Sequence, residues 1–248
     1  MRKAKIRLWA VGLWLLLWQC AAMLVEQDFL LASPVDTLLR FGQLAVTAGF
    51  WKSAVFSLCR IFGGFLLGIA LGAAFAGFSA AYRRMEELLS PLMAVLRSIP
   101  VASFVVVALI WVPSRNLSVL ISFLIVLPLV YNSTLSELQR TDEKMLEMAQ
   151  VFRMKRHRKL LYVHALPAAK GFSAACVTAM GLAWKSGIAA ELISIPAGSI
   201  GERLYQAKVY LMTGDLFAWT ILIVLLSMLC ARIFALLIKA AVGALERM

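Results

Sequence analysis

Four ionisable side chains stand inside long apolar stretches of this chain: Arg60, Arg97, Lys185 and Glu191. A charge at the centre of a membrane-spanning helix costs roughly 2.5–3.5 kcal/mol on insertion scales, so each must pair, reach an interface or face water. Three cations against one acid suit two roles, holding helices together or lining a path that favours a small anion, and the residues alone leave both open. They do not suit catalysis. The Ser, His and Asp residues form no nucleophilic motif. His157 and His164 are the only two histidines, and a pair seven residues apart without Cys or acidic company makes a poor zinc site. No G-x-x-x-x-G-K-[ST] phosphate loop occurs, so the backbone cradle for ATP is missing. The chain is therefore not expected to be an enzyme on its own, nor to hold a metal or cofactor.

The second concentration of chemistry is the segment "EMAQVFRMKRHRKLLYVHALP", residues 147–167, a dense basic run in a chain that is otherwise mostly hydrocarbon. Its background sets the class. Of 248 residues 62% are hydrophobic and 15% charged, against roughly 25% charged in soluble domains. Several stretches exceed the roughly 18 apolar residues that mark a spanning helix. The expectation is an all-α membrane protein forming a single domain over 1–248, with six spans at about 8–25, 53–81, 88–112, 117–135, 171–193 and 216–238. The basic start "MRKAKIR" before the first apolar run also fits a signal peptide, but no small-x-small cleavage site follows it. Cys20, Cys59, Cys176 and Cys230 all fall in apolar stretches, where cysteine behaves as a small hydrophobe.

Small and kinking residues mark how the spans must pack. Gly64, Gly68 and Gly72 repeat every four residues on one face of the second span, a pattern that lets helix backbones approach closely in lipid. Pro91 and Pro100 in the third span and Pro128 in the fourth are tolerated only where neighbouring helices re-satisfy the backbone groups that proline frees.

The net charge of +12 could suggest a nucleic-acid partner, but its placement argues otherwise. With a cytoplasmic amino terminus, sixteen Lys and Arg fall in inside segments and five outside, a bias that puts both termini in the cytoplasm. Topology thus accounts for the charge. The one long connection, 136–170, is then cytoplasmic, too long for a turn and too polar for lipid. Within it Met145, Met148, Ala149 and Phe152 fall at i, i+3, i+4 and i+7, an apolar stripe on one helix face. Thr141 and Asp142 are plausible caps at its start, and basic residues follow its end. Spacing alone leaves open whether the stripe meets lipid, the chain's own spans or a groove on a partner. After Glu191 comes "SIPAGSIGERLYQAKVYLMTGD", an external connection whose Ile200, Leu204 and Leu211 suggest a short helix on the outer face, either shaping the mouth or capping the core.

The 147–167 segment resembles the cytoplasmic loop of permease subunits of bacterial ABC importers, whose pattern is E-A-A, three residues, Gly, then a variable run closing in L-P. Glu147, Ala149, Leu166 and Pro167 match; Met148 replaces the central Ala, Arg153 stands at the Gly position, and the spacing to Pro167 is one residue longer. The stretches "RIFGGFLLGIALG" (60–72), "LLSPLMAVLRSIPVASFVVVALIWV" (88–112) and "GLAWKSGIAAELI" (181–193) are similar to the branch serving nitrate, sulfonate, taurine and thiamine-precursor importers. The resemblance implies a five-helix type I core plus an amino-terminal helix in a bacterial inner membrane. The implied assembly is a homodimer with two ATPase subunits, which hold ATP and Mg, and an external substrate-binding protein. It further implies that Met145, Glu147, Met148, Ala149, Phe152, Arg153, Lys155 and Arg156 couple the chain to the ATPase. The alternative is a secondary transporter or channel of another class, but such a protein does not need the long loop, and no internal repeat is visible.

Overall fold

The centre of the molecule is a seam between two long helices at which three glycines remove the side chains. In the computed structural model, which describes residues 8–25, 30–140, 143–152, 154, 163 and 166–245, α3 (Ala48–Ala81) lies along α6 (Ser114–Gln139). A Cβ built on Gly64 would stand 2.2 Å from the Val119 carbonyl oxygen, one on Gly68 2.7 Å from Val126 Cβ, and one on Gly72 2.9 Å from the Leu127 carbonyl oxygen. Hydrogen at these positions is what allows backbone-to-backbone contact, the main source of packing attraction between helices in lipid.

Around this pair the remaining elements follow in order: α1 (Leu8–Val25), α2 (Pro34–Ala45), α4 (Arg83–Ser98), α5 (Val101–Ala108), α7 (Glu143–Val151), α8 (Leu166–Ser194), α9 (Ile200–Val209) and α10 (Thr213–Leu245). No strand occurs among the described residues. Among the described residues four helices are long and apolar enough to cross a membrane, over Ala48–Ala81, Ser114–Gln139, Pro167–Ser194 and Thr213–Ala240. The chain is thus an all-α, multi-pass membrane protein. At 18 residues, α1 is about 27 Å long, close to the roughly 30 Å of hydrocarbon in a bilayer.

The third expected span, 88–112, is not one kinked helix. Ile99 and Pro100 are both extended, as steric conflict before proline favours, and α4 and α5 meet there at 101°. Pro91, by contrast, sits inside α4 without ending it. Taken together the two pieces are long and apolar enough for one broken span. Leu89 and Met93 of α4 pack on Tyr131 and Leu135 near the end of α6, where Gln139 also donates to Glu86 at 2.9 Å. Val105 and Ala108 of α5 pack on Leu117 and Ile121 near its start. The main apolar core joins α3, α6, α8 and α10 through Phe50, Phe65, Val130, Trp184 and Trp219, among others.

Two tethers organise the ends. Ser33 caps α2 by accepting from the Asp36 amide at 3.1 Å, with Pro34 in the first turn where its missing N–H costs nothing. From α2, Arg40 pairs with Asp215 at the start of α10. That hydrogen bond, and then the carboxylate's charge, holds the Arg40 guanidinium above its ordinary pKa.

Candidate functional site

The four intramembrane charges separate into two environments. Glu191, in α8, is completely buried. Its Oε2 accepts from Ser57 Oγ of α3 at 2.6 Å and from the Gly201 amide of α9 at 3.4 Å. Ser57 in turn accepts from the Ile200 amide at 2.9 Å. A carboxylate taken out of water is held only by such donors, and hydrogen bonds to a charged group are the stronger kind. Arg60 lies one turn along α3 from Ser57, half-buried, with its guanidinium 4.1 Å from the centroid of the Phe56 ring, a cation–π contact. Arg97 and Lys185, on the other hand, are exposed on the surface of the single chain. The structure therefore buries Glu191 against Ser57 and Gly201, sets Arg60 one turn along α3 from Ser57, and leaves Arg97 and Lys185 on open faces.

On α8 Lys185 shares an exposed face with Ala174, Thr178, Leu182, Ala189 and Leu192, which a period of 3.6 residues aligns within about a quarter of the circumference. Below it, α6 and α8 part to form a cavity of about 520 Å³ lined by Asn132, Ser133, Ser136, Glu137 and Thr178. Gly171 makes room there, since a Cβ would stand 2.3 Å from Glu137 Cγ. The polar side chains lining this cavity are not matched to hydrocarbon; they fit water or another chain.

At the end of the molecule where Arg40 meets Asp215, a recess of about 470 Å³ opens between α3, α9 and α10, lined by Arg203, Gln206, Tyr210, Asp215 and Trp219. Sequence reasoning placed a short helix here, and α9 is that helix, with Ile200 and Leu204 buried and Leu211 exposed beyond its end.

The helix of the 136–170 connection is α7. Its Met145, Glu147 and Met148 are exposed, as is Phe152 just beyond it, while Ala149 is buried. Phe152 is 73% exposed and Val151 beside it 79%. The Met154 amide closes the turn on the Ala149 carbonyl at 3.0 Å. Arg153, Lys155 and Arg156, together with His157, His164, Thr141 and Asp142, lie outside the described residues.

Sequence reasoning missed Ser57, Gly201, Thr178 and Asn132. Serine and threonine are common enough in spanning helices that no spacing singles these out. The Glu191–Ser57 contact joins residues 134 positions apart, beyond any periodicity. Among the described residues no group of three or more His, Cys, Asp or Glu side chains could hold a metal ion.

Comparison with known proteins gives this geometry a context. No family model matches the chain. It is 28% identical over 212 residues to the putative aliphatic sulfonates transport permease protein of Bacillus subtilis, covering 83% of this chain and 75% of that protein. A probable ABC transporter permease protein of Brucella melitensis is 28% identical over 90% of this chain and 88% of its own length. The riboflavin transport system permease protein of Chloroflexus aurantiacus is 28% identical over 75% and 69%. The homologues of this chain are ABC transporter permeases, proteins that are not themselves enzymes.

Proposed function

We propose that this chain is the transmembrane permease subunit of an ATP-binding cassette importer, with α7 as the element that meets the ATPase. The similarity to permeases along 75–90% of the chain carries the first part, and the exposed Met145, Met148 and Phe152 carry the second. A short helix that displays two methionines, with a phenylalanine just beyond its end, has an apolar face that the described residues do not cover. A groove on another protein would bury it, and anchors of this kind supply most of the energy of such contacts. The basic residues that follow, Lys155 and Arg156 among them, steer docking and add roughly 0–1 kcal/mol each. Two ATPase subunits holding ATP and Mg, a second copy of this chain and an external binding protein complete the assembly, in a bacterial inner membrane with both termini cytoplasmic.

In this reading the path runs along the face of α8 that carries Lys185 and Thr178, with Arg97 on α4 as a second cation open to water. Both charges favour a small organic anion as cargo. The sulfonate named for the Bacillus relative is of that class.

Co-purification tests the coupling. Phe152→Ala is expected to reduce recovery of the co-expressed ATPase about tenfold or more, Lys155→Ala to leave it within a few-fold, and Glu147→Ala to uncouple hydrolysis from uptake in proteoliposomes. Normal assembly and uptake in all three would remove α7 from the coupling role.

A further inference from the structure

The connection between Glu191 and α9 goes beyond the transport reading and does not depend on it. The turn from α8 into α9 is tight: Ile195 has φ 47° and Gly198 φ 82°. Ser199 then caps α9 by accepting from the Glu202 amide at 3.0 Å, and Glu202 returns the favour by accepting from the Gly198 amide at 2.7 Å. This local closure leaves the next two amides of the helix start, those of Ile200 and Gly201, to be satisfied from elsewhere. Both are met from the membrane-spanning helices. Ser57 of α3 accepts from the first and donates its own hydroxyl to Glu191 Oε2, and the same oxygen accepts from the second. Ile200, Gly201, Ser57 and Glu191 are all buried. Gly201 is required for the approach, because a Cβ there would stand 2.4 Å from the Glu191 carbonyl carbon.

We infer that Glu191 is a positioning residue that locks the start of α9 onto α3 and α8, so that the short helix and the end of the bundle move as one body. The carboxylate is placed where three elements converge, and it offers an acceptor to the positive end of α9. A cap that only ended α9 would need no residue from α3, and a charge that only paired would face Arg60 rather than the amides. The geometry uses the acceptor character of Glu191 more than its charge.

The test reads local opening of α9 directly, on purified protein in detergent. In a background with the native cysteines replaced, Ile200→Cys places a thiol in the buried start of α9. A small water-soluble maleimide reacts with such a thiol only through local opening. Glu191→Ala, Ser57→Ala and Gly201→Ala are each expected to speed its labelling about tenfold or more, the consequence of leaving buried donors without an acceptor or of forcing the helix off its seat. Glu191→Gln, whose amide oxygen still accepts from Ser57, is expected to label within about threefold of the parent. In a parallel variant that keeps only native Cys176, which is also fully buried, Glu191→Ala should leave labelling unchanged. The lock is overturned if Glu191→Ala leaves the Ile200→Cys thiol as protected as in the parent, if Glu191→Gln opens it as far as Glu191→Ala, or if Cys176 opens alongside. In the assembled transporter, Glu191→Ala should lose uptake while retaining the ATPase. A failure of that arm alone would count against the transport reading, not against the lock.

Discussion

Two spanning helices of similar length, α8 and α10, invert the rule that holds in water. α10 is the more apolar, yet only 6% of its most apolar window is buried within the chain, whereas half of that of α8 is buried. Lipid is as apolar as leucine, so hydrophobicity alone gives α10 no reason to leave it. α8 is central because small residues such as Ala179, Ala183, Gly187 and Ala190 let neighbours close on it. Its one buried acid finds donors there as well. At Gly187 a Cβ would stand 2.6 Å from Ile61 Cγ1. Burial in this protein follows shape and polarity, and the most greasy helix is left for the bilayer.

The sharpest way to break this comparison is to truncate a large side chain on each helix. Trp184→Ala on α8, at 1% exposure, should destabilise the folded chain by about 3–5 kcal/mol, and Leu225→Ala on α10, half-exposed to the lipid side, by less than about 0.5 kcal/mol. Unfolding by a denaturing detergent titrated into mild micelles would measure both. Equal losses would show that the outer face of α10 is covered.

Adding volume probes the same contrast in the other direction. Gly64→Val drives a side chain into the Val119 carbonyl and should cost about 1–3 kcal/mol or more, while Gly63→Val, on a neighbouring position with open space around it, should be close to neutral. The same titration reads both.

Lys185→Ala sharpens what the exposed face of α8 is for. With Lys185 outside the packed core, its loss should change stability by less than about 0.5 kcal/mol yet depress uptake of an anionic substrate in proteoliposomes, with Lys185→Arg recovering part of it. A large loss of stability would return the residue to a structural role. A small effect is expected where α10 begins. Asp215→Asn removes the charge that pairs with Arg40, a part-buried pair at the rim of the recess, and should cost about 1 kcal/mol, less at high salt.

Much of this architecture was legible beforehand. Apolar runs of sufficient length marked the four helices that, among the described residues, are long and apolar enough to cross a membrane, because a bilayer demands them. The four-residue glycine repeat marked α3 as a close-packed helix, because no other residue type permits that approach. The Met145–Phe152 periodicity located α7. Pro100 was visible as a disturbance, but whether proline bends a helix or separates it into two depends on what can satisfy the freed groups nearby. Here the packing of α4 and α5 on opposite ends of α6 separates it.

The sequence by itself determined the solvent this protein lives in, the helical secondary structure that solvent enforces, and the presence of charges too costly to be incidental. Those conclusions rest on local chain properties: length, period, and the free energy of a group in hydrocarbon. Tertiary structure alone decided which charge does what. Glu191 and Lys185 are six positions apart on one helix, and their sequence context is equally apolar. A rotation of about 120° around the helix axis separates them. It turns Glu191 onto Ser57 and the start of α9 and leaves Lys185 open, and that angle acquires meaning only when α3, α6 and α9 take their places around α8.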